Sequence, residues 1–338
     1  MVALLFAQAA LVLSIFIDGT SASCGHGTHL ARRNTYHGLN ARNEIVKRVE
    51  VSAFGYLGLT GPTNWNALSV DNTACATSSV QSPIDITAQT ATTVAGSSLN
   101  ITLPNVEATE FENLGSTVEV LMEGKGASMF IEDQKFDLLQ FHFHTPSEHT
   151  INGEYFPLEM HMVHQAADET IGVLALPFQL SATGDSTALV QSVMASLGEI
   201  AEPGNVAELG ALDFTALAAN LQAQSFSTYT GSLTTPPCAE GLKFFVAQQP
   251  LAMDVTTYNA IKSVVGFNAR FVQNPPGESN LLTVLAASIP TTATESVGPE
   301  HVLELVNVTK PAAEAAAETK KENKQTKSSR VIIISGKK

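Results

Sequence analysis

Positive charge is scarce in this chain. Only 18 Lys and Arg stand against 32 Asp and Glu, and eight of the 18 lie between Lys310 and Lys338. So acidic a body makes a poor partner for nucleic acid or an anionic membrane surface. Aromatic residues are few, at 7% with a single Trp. Beyond the N-terminus no run is long and apolar enough to span a bilayer, which takes roughly 20 residues. No fixed-period repeat is evident, which argues against solenoids and propellers. Three cysteines leave an odd one. In an oxidising compartment Cys75 and Cys238 form the natural pair, because both sit beside motifs described below, and Cys24 lies near a processing site. Sequence alone leaves the connectivity open.

What the chain does have is enough apolar material, 44% of 338 residues, for one large domain or two ordinary ones. Residues 2–17 are almost wholly apolar and are followed by small residues near Ala22, which predicts a secretory signal over 1–22 despite the missing basic start. A buried N-terminal helix is the competing reading. Residues 23–52 are polar and basic, with Arg32-Arg33, His26, His29 and His37, and are expected to form a flexible leader rather than a metal-binding arm. One folded domain is expected over 53–288, the part that carries the motifs below. From 289 to 338 the composition turns to Thr, Ala, Glu and Lys, which cannot bury enough apolar surface to offset ordering entropy, so a disordered tail is expected. Asn100-Ile-Thr and Asn307-Val-Thr have the form of glycosylation acceptors.

Between 54 and 285 many short apolar runs alternate with Gly, Pro, Asn and Ser clusters: 84–86, 99–103, 118–122, 129–131, 136–143, 159–164, 170–178 and 242–247. That spacing predicts a mainly β domain. Helical periods over 188–200, 209–221 and 255–265 predict peripheral helices.

Five of the nine histidines fall between Leu138 and His164. Side chains alternate between the faces of a strand, so Gln140, His142 and His144 share one face and Leu139, Phe141 and Phe143 the other. In the next run Glu159, His161 and Val163 share a face, with Asn152-Gly153 as a turn signal between the two runs. Two neighbouring strands can therefore present three imidazoles to one point, the arrangement of a catalytic zinc with an open fourth position. Gln140 and Glu159 are suited to accept the second N–H of the ligating rings. His149 and His164 are read as structural histidines. Thr234 and Glu148 are suitable types for a relay in which a hydroxyl orients a metal-bound nucleophile and gives its own proton to a buried carboxylate.

Five ordered motifs resemble the alpha-class carbonic anhydrases: Gln-Ser-Pro-Ile-Asp-Ile (81–86), Gln-Phe-His-Phe-His (140–144), Ser-Glu-His-Thr (147–150), Glu-Met-His-Met-Val-His (159–164) and Gly-Ser-Leu-Thr-Thr-Pro-Pro-Cys (231–238). Phe54-Gly-Tyr and Asn268-Ala-Arg270 match more weakly. The resemblance implies a central, largely antiparallel twisted sheet of about ten strands. It implies Zn2+ held by His142, His144 and His161, a second shell of Gln140 and Glu159, and a nucleophile oriented by Thr234 with Glu148. Thr235 falls at the substrate site, and Val163, Val173, Leu233 and Phe244 match the apolar pocket for CO2, Phe244 standing where many members carry Trp. Cys75 and Cys238 match the disulfide of secreted members. Ser116 stands where fast members carry a proton-shuttling His, and Tyr56 matches a Tyr lining the cleft. The implied activity is zinc-dependent hydration of CO2 to bicarbonate, with a side esterase activity, in an extracellular protein. A homodimer is compatible with it. The alternative is a non-catalytic binding module of the same fold, which would normally have lost a zinc histidine.

Overall fold

The structure is a computed structural model and describes residues 35–39 and 45–289. The expectations for the signal segment 1–22, for Cys24, His26 and His29, for Asn307 and for the tail from 290 lie outside the described residues.

Sixteen strands are formed among these: β1 (Thr35–Leu39), β2 (Ile45–Val49), β3 (Asp85–Ile86), β4 (Thr92–Ala95), β5 (Thr109–Asn113), β6 (Val118–Leu121), β7 (Ser128–Ile131) and β8 (Gln134–His144). They continue with β9 (Thr150–Ile151), β10 (Glu154–Tyr155), β11 (Leu158–Ala166), β12 (Ile171–Leu180), β13 (Val206–Leu209), β14 (Ser225–Ser232), β15 (Glu240–Ala247) and β16 (Leu251–Met253). Eleven strands make one sheet in the order β13-β5-β6-β8-β11-β12-β15-β14-β4, with β7 beside β8 and β16 beside β12. Pairing is antiparallel except where β12 meets β15 and β16. The expected sheet of about ten largely antiparallel strands is the one observed.

The alternation read from the sequence sorts the two faces of this sheet. Phe141 and Phe143 of β8, Met160 and Met162 of β11, and Leu174 and Leu176 of β12 join one large buried core. The helices Ala188–Met194 and Thr215–Ala223 contribute Leu189, Val193, Leu217 and Leu221 to it. The opposite face carries the histidines and a smaller apolar cluster that includes Val163, Val173, Leu233 and Phe244. The histidines on that face, His142, His144 and His161, are buried as well.

Several local expectations differ from the structure. Residues 99–103 end a 3-10 turn and form only an isolated bridge at Thr102, since Asn100 takes a left-handed φ of 40°. Leu209 closes β13 opposite Thr109, so the helix expected from 209 starts at Thr215. Asn152 and Gly153, with φ of 51° and 80°, turn the small β9–β10 hairpin rather than joining β8 directly to β11. Within 23–52, β1 and β2 pair as a hairpin, and Val49 is fully buried. Arg48 bonds Asn205 Oδ1 at 2.5 Å and the Pro203 carbonyl at 2.8 Å.

Candidate active site

β8 and β11 are antiparallel neighbours with His161 opposite His142 and Glu159 opposite His144. That register brings the three imidazoles to one place: one ring nitrogen from each lies within 4.8 Å of the others, and all three residues are buried. Each ring is also fixed from behind. His142 Nδ1 bonds Gln140 Oε1 at 2.9 Å, His144 Nδ1 donates to the Asn268 carbonyl at 2.9 Å, and His161 Nε2 bonds Glu159 Oε1 at 2.6 Å. Such anchors select one tautomer and direct the other nitrogen inward.

Burial sets the charge of these rings. It lowers the His144 pKa to about 3, helped by the neighbouring His161. Burial also lowers His161, against the opposing pull of Glu159. Both therefore stay neutral near pH 7, the form in which imidazole binds a metal. For Glu159, burial pushes upward, but the proximity of His149 and the hydrogen bonds from His149 and His161 outweigh it and hold the carboxyl well below the usual range.

Glu159 is the junction of the site. Its Oε2 accepts the backbone N–H groups of Glu148 and His149 at 3.1 and 3.0 Å, and its Oε1 takes His149 Nδ1 at 2.7 Å as well as His161. The other nitrogen of His149 bonds Tyr229 Oη at 2.7 Å, and Tyr229 reaches Ser82 Oγ at 2.8 Å. His149, Glu159 and His161 also offer metal-ligand atoms close together. Their separations of 2.6 and 2.7 Å are those of charge-assisted hydrogen bonds, so this second trio is a support and not a rival metal centre.

Glu148, fully buried, accepts the Arg270 backbone N–H at 2.9 Å on Oε1. Burial pushes its pKa well up, while that N–H and the nearby Thr234 side chain pull the other way. The Thr234 contact is close enough to favour the carboxylate, although no well-aligned hydrogen bond reaches Oε2. Thr234 and Thr235 follow β14 in a short loop. It is closed by Leu233 N to Ala239 O and by Cys238 N to Thr235 O, and is tied down by the Cys75–Cys238 disulfide.

The apolar wall is a row across the sheet: Val163 pairs with Val173, and Val173 with Phe244. Phe244 stacks on Tyr229 at 5.3 Å and 11°, and meets His161 edge-on at 6.0 Å. Ser116 is 2% exposed, with its hydroxyl 2.8 Å from Ser52 Oγ, so it is buried rather than presented to a cleft. Tyr56 is nearly buried, and burial next to Glu148 raises its pKa well above the usual 10. No role for Asn268, Arg270 or Tyr229, and only a structural one for His149, follows from the sequence. Asn268 and Arg270 stood in the weaker Asn-Ala-Arg match, the one signal that could have found them.

Comparison with known proteins is consistent throughout. Residues 60–275 match the family model described as eukaryotic-type carbonic anhydrase. A carbonic anhydrase of Pectobacterium atrosepticum is 33% identical over 213 residues, which are 63% of this chain and 83% of that protein. One from Nostoc sp. is 32% identical over 67% of this chain and 84% of its own length. The solved fungal alpha carbonic anhydrase of Aspergillus oryzae is 41% identical with a TM-score of 0.68, covering 70% of this chain and 99% of that one.

Proposed function

Since the chain belongs to the alpha, eukaryotic-type carbonic anhydrases, and family and fold together support CO2 hydration, we propose that it carries out this reaction with zinc held by His142, His144 and His161. The observation that carries the reading is the buried imidazole trio, with His144 and His161 held neutral and every ring secured through its second nitrogen. Three nitrogen donors suit zinc with one position left for chemistry. His142, His144 and His161 would hold the zinc, which would supply a nucleophile by making water acidic near neutral pH, the behaviour known for carbonic anhydrases.

The chain's own residues do the rest. Thr234, with its hydrogen turned toward Glu148, leaves its oxygen to accept the nucleophile's remaining proton, so that a lone pair faces the substrate. Glu148 serves as acceptor when ionised, and the positive charge of a cation on the histidines favours that form against burial. Val163, Val173, Leu233 and Phe244 exclude water and hold an uncharged linear molecule, and Thr235 lies beside it. Gln140 and Glu159 keep the rings aimed. Hydrolysis of small esters is proposed as a side activity of the same nucleophile. The disulfide supports an extracellular location, and the exposed Asn100 is open to glycosylation.

Replacement of His161 by Ala is expected to remove the metal and lower CO2 hydration by at least about 100-fold, read by metal analysis and stopped-flow indicator assay. Activity retained in that variant or after chelation would sink the mechanism. Proton release is expected to limit turnover, because a buried serine at 116 cannot relay protons near neutral pH. Turnover should therefore rise with buffer concentration, and a fast rate indifferent to buffer would require another relay.

A further inference from the structure

Arg270 is the only Lys or Arg buried among the described residues, at 1% exposure. Burial lowers its pKa to about 10, with Glu148 first among the charges that oppose the shift, so it stays a cation near neutral pH. The hydrogen bonds of its guanidinium go to carbonyl and amide oxygens. Nη1 donates to the Ser82 carbonyl at 2.8 Å, and Nη2 donates to Gln81 Oε1 at 2.8 Å and to the Cys75 carbonyl at 3.2 Å. A buried charge is costly unless such bonds satisfy it. What those bonds hold together is the Thr234 loop on one side and Glu148 on the other.

Ser82 and Ser232 exchange hydrogen bonds, the Ser82 N–H to Ser232 Oγ at 2.9 Å and the Ser232 N–H to Ser82 Oγ at 3.0 Å. Gln81 Nε2 donates to the Cys238 carbonyl at 3.1 Å. Ser232 stands two residues before Thr234 and Cys238 four after it, so the adjacent Gln81 and Ser82 pin both ends of the loop that carries Thr234. Toward the metal side, the backbone N–H of Arg270 donates to Glu148 Oε1 at 2.9 Å. One residue thus grips Glu148 with its main chain and, through its side chain, both ends of the Thr234 loop.

We propose that Arg270, acting through Gln81 and Ser82, is the positioning residue that sets the separation between Glu148 and Thr234. The inference rests on the relay proposed above for that pair. Lysine in its place would keep the charge but lose the planar fork, and a compact ammonium cannot meet Ser82, Gln81 and Cys75 in the same geometry. An Arg270 that served only the fold, packed against Trp65 with its guanidinium 5.6 Å from the ring, would matter to stability and not to Glu148. The two roles separate in kinetics.

The test is a double-mutant cycle on the zinc-loaded enzyme, reading kcat/KM for CO2 hydration per bound zinc. Arg270→Lys should lower it at least about tenfold, as a small misplacement of reacting groups can do. Gln81→Met, a milder change that removes one guanidinium bond and the tie to Cys238, should lower it at least about threefold and carries the test if the lysine variant does not fold. In a Glu148→Gln background, where the relay is already broken, each should change kcat/KM by less than about twofold. Asn280→Ala is the control, because Asn280 donates to the same Cys75 carbonyl at 3.3 Å and to the Ser78 carbonyl at 3.0 Å without bonding Glu148 or the Thr234 loop. It should lower the unfolding temperature and leave activity within about twofold. Full activity per zinc in both single variants, losses undiminished in the Glu148→Gln background, or an equal loss in Asn280→Ala would overturn the inference. Full activity in Glu148→Gln alone would overturn the relay itself, and the inference with it.

Discussion

His164 shows how burial alone can fix a protonation state. It is fully buried on β11, donates Nδ1–H to the Met162 carbonyl at 2.9 Å, and burial lowers its pKa to about 4. The unfolded chain takes up a proton near pH 6.5, which the folded chain refuses until about pH 4. The stabilisation is therefore present above pH 6.5 and is lost as the pH falls through that window, amounting to about 3 kcal/mol. His164→Gln should flatten the pH dependence of urea unfolding between pH 4 and 6.5 by about one proton. An unchanged slope would show that His164 titrates freely in the native state. At this scale the metal cradle was legible, because strand alternation dictates which side chains share a face. Glu148 and Thr234 were not legible from spacing, since they come from loops and take their meaning from residues 86 positions apart in the chain. Arg270 was hidden more deeply, because its contribution to Glu148 is a backbone N–H that no side-chain pattern announces.

Among the elements, apolar strands were legible and polar ones were not. β14 reads Ser-Phe-Ser-Thr-Tyr-Thr-Gly-Ser, with too few large apolar residues to signal a strand, yet it pairs with both β15 and β4. Position in the sheet overrides weak local preference there. β5 was missed for the same reason, being Thr-Glu-Phe-Glu-Asn with Glu112 buried. At the sheet edge, the turn after β4 presses directly on the end of the helix Thr215–Ala223. A Cβ on Gly96 would run into the Leu221 carbonyl oxygen and come within 2.8 Å of that of Gln224. Both are backbone atoms with little room to yield. Gly96→Ala should therefore cost more than about 2 kcal/mol, measured by denaturant titration, and a cost near zero would mean that this edge is looser than its packing implies.

On the scale of the whole molecule, the Cys75–Cys238 disulfide closes a loop of 163 residues, and Cys238 N bonds the Thr235 carbonyl at 2.8 Å. The cross-link thus restrains the unfolded chain and steadies the loop carrying Thr234. The double variant Cys75→Ser, Cys238→Ser should lose roughly 2–5 kcal/mol of stability. It should also lose turnover while still binding zinc, because the histidines are held by the paired strands β8 and β11 whereas the disulfide fastens the loop after β14. Calorimetry and metal analysis on one preparation would separate the two effects, and loss of zinc together with the disulfide would contradict the division.

The strands β5, β6, β8, β11 and β12 are neighbours in that order and lie consecutively in the sequence apart from short hairpins, whereas β12 finds its parallel partner β15 only after the helices and β13. A ribosome that has released residue 180 has already delivered every histidine of the trio and the strands on either side of it, but not Thr234, Arg270 or the second cysteine. The residues proposed to hold the metal and those proposed to make it reactive are in this way separated along the chain. Asn268, whose carbonyl anchors His144, also follows that point, and the loop that carries Thr234 arrives together with the cysteine that fastens it.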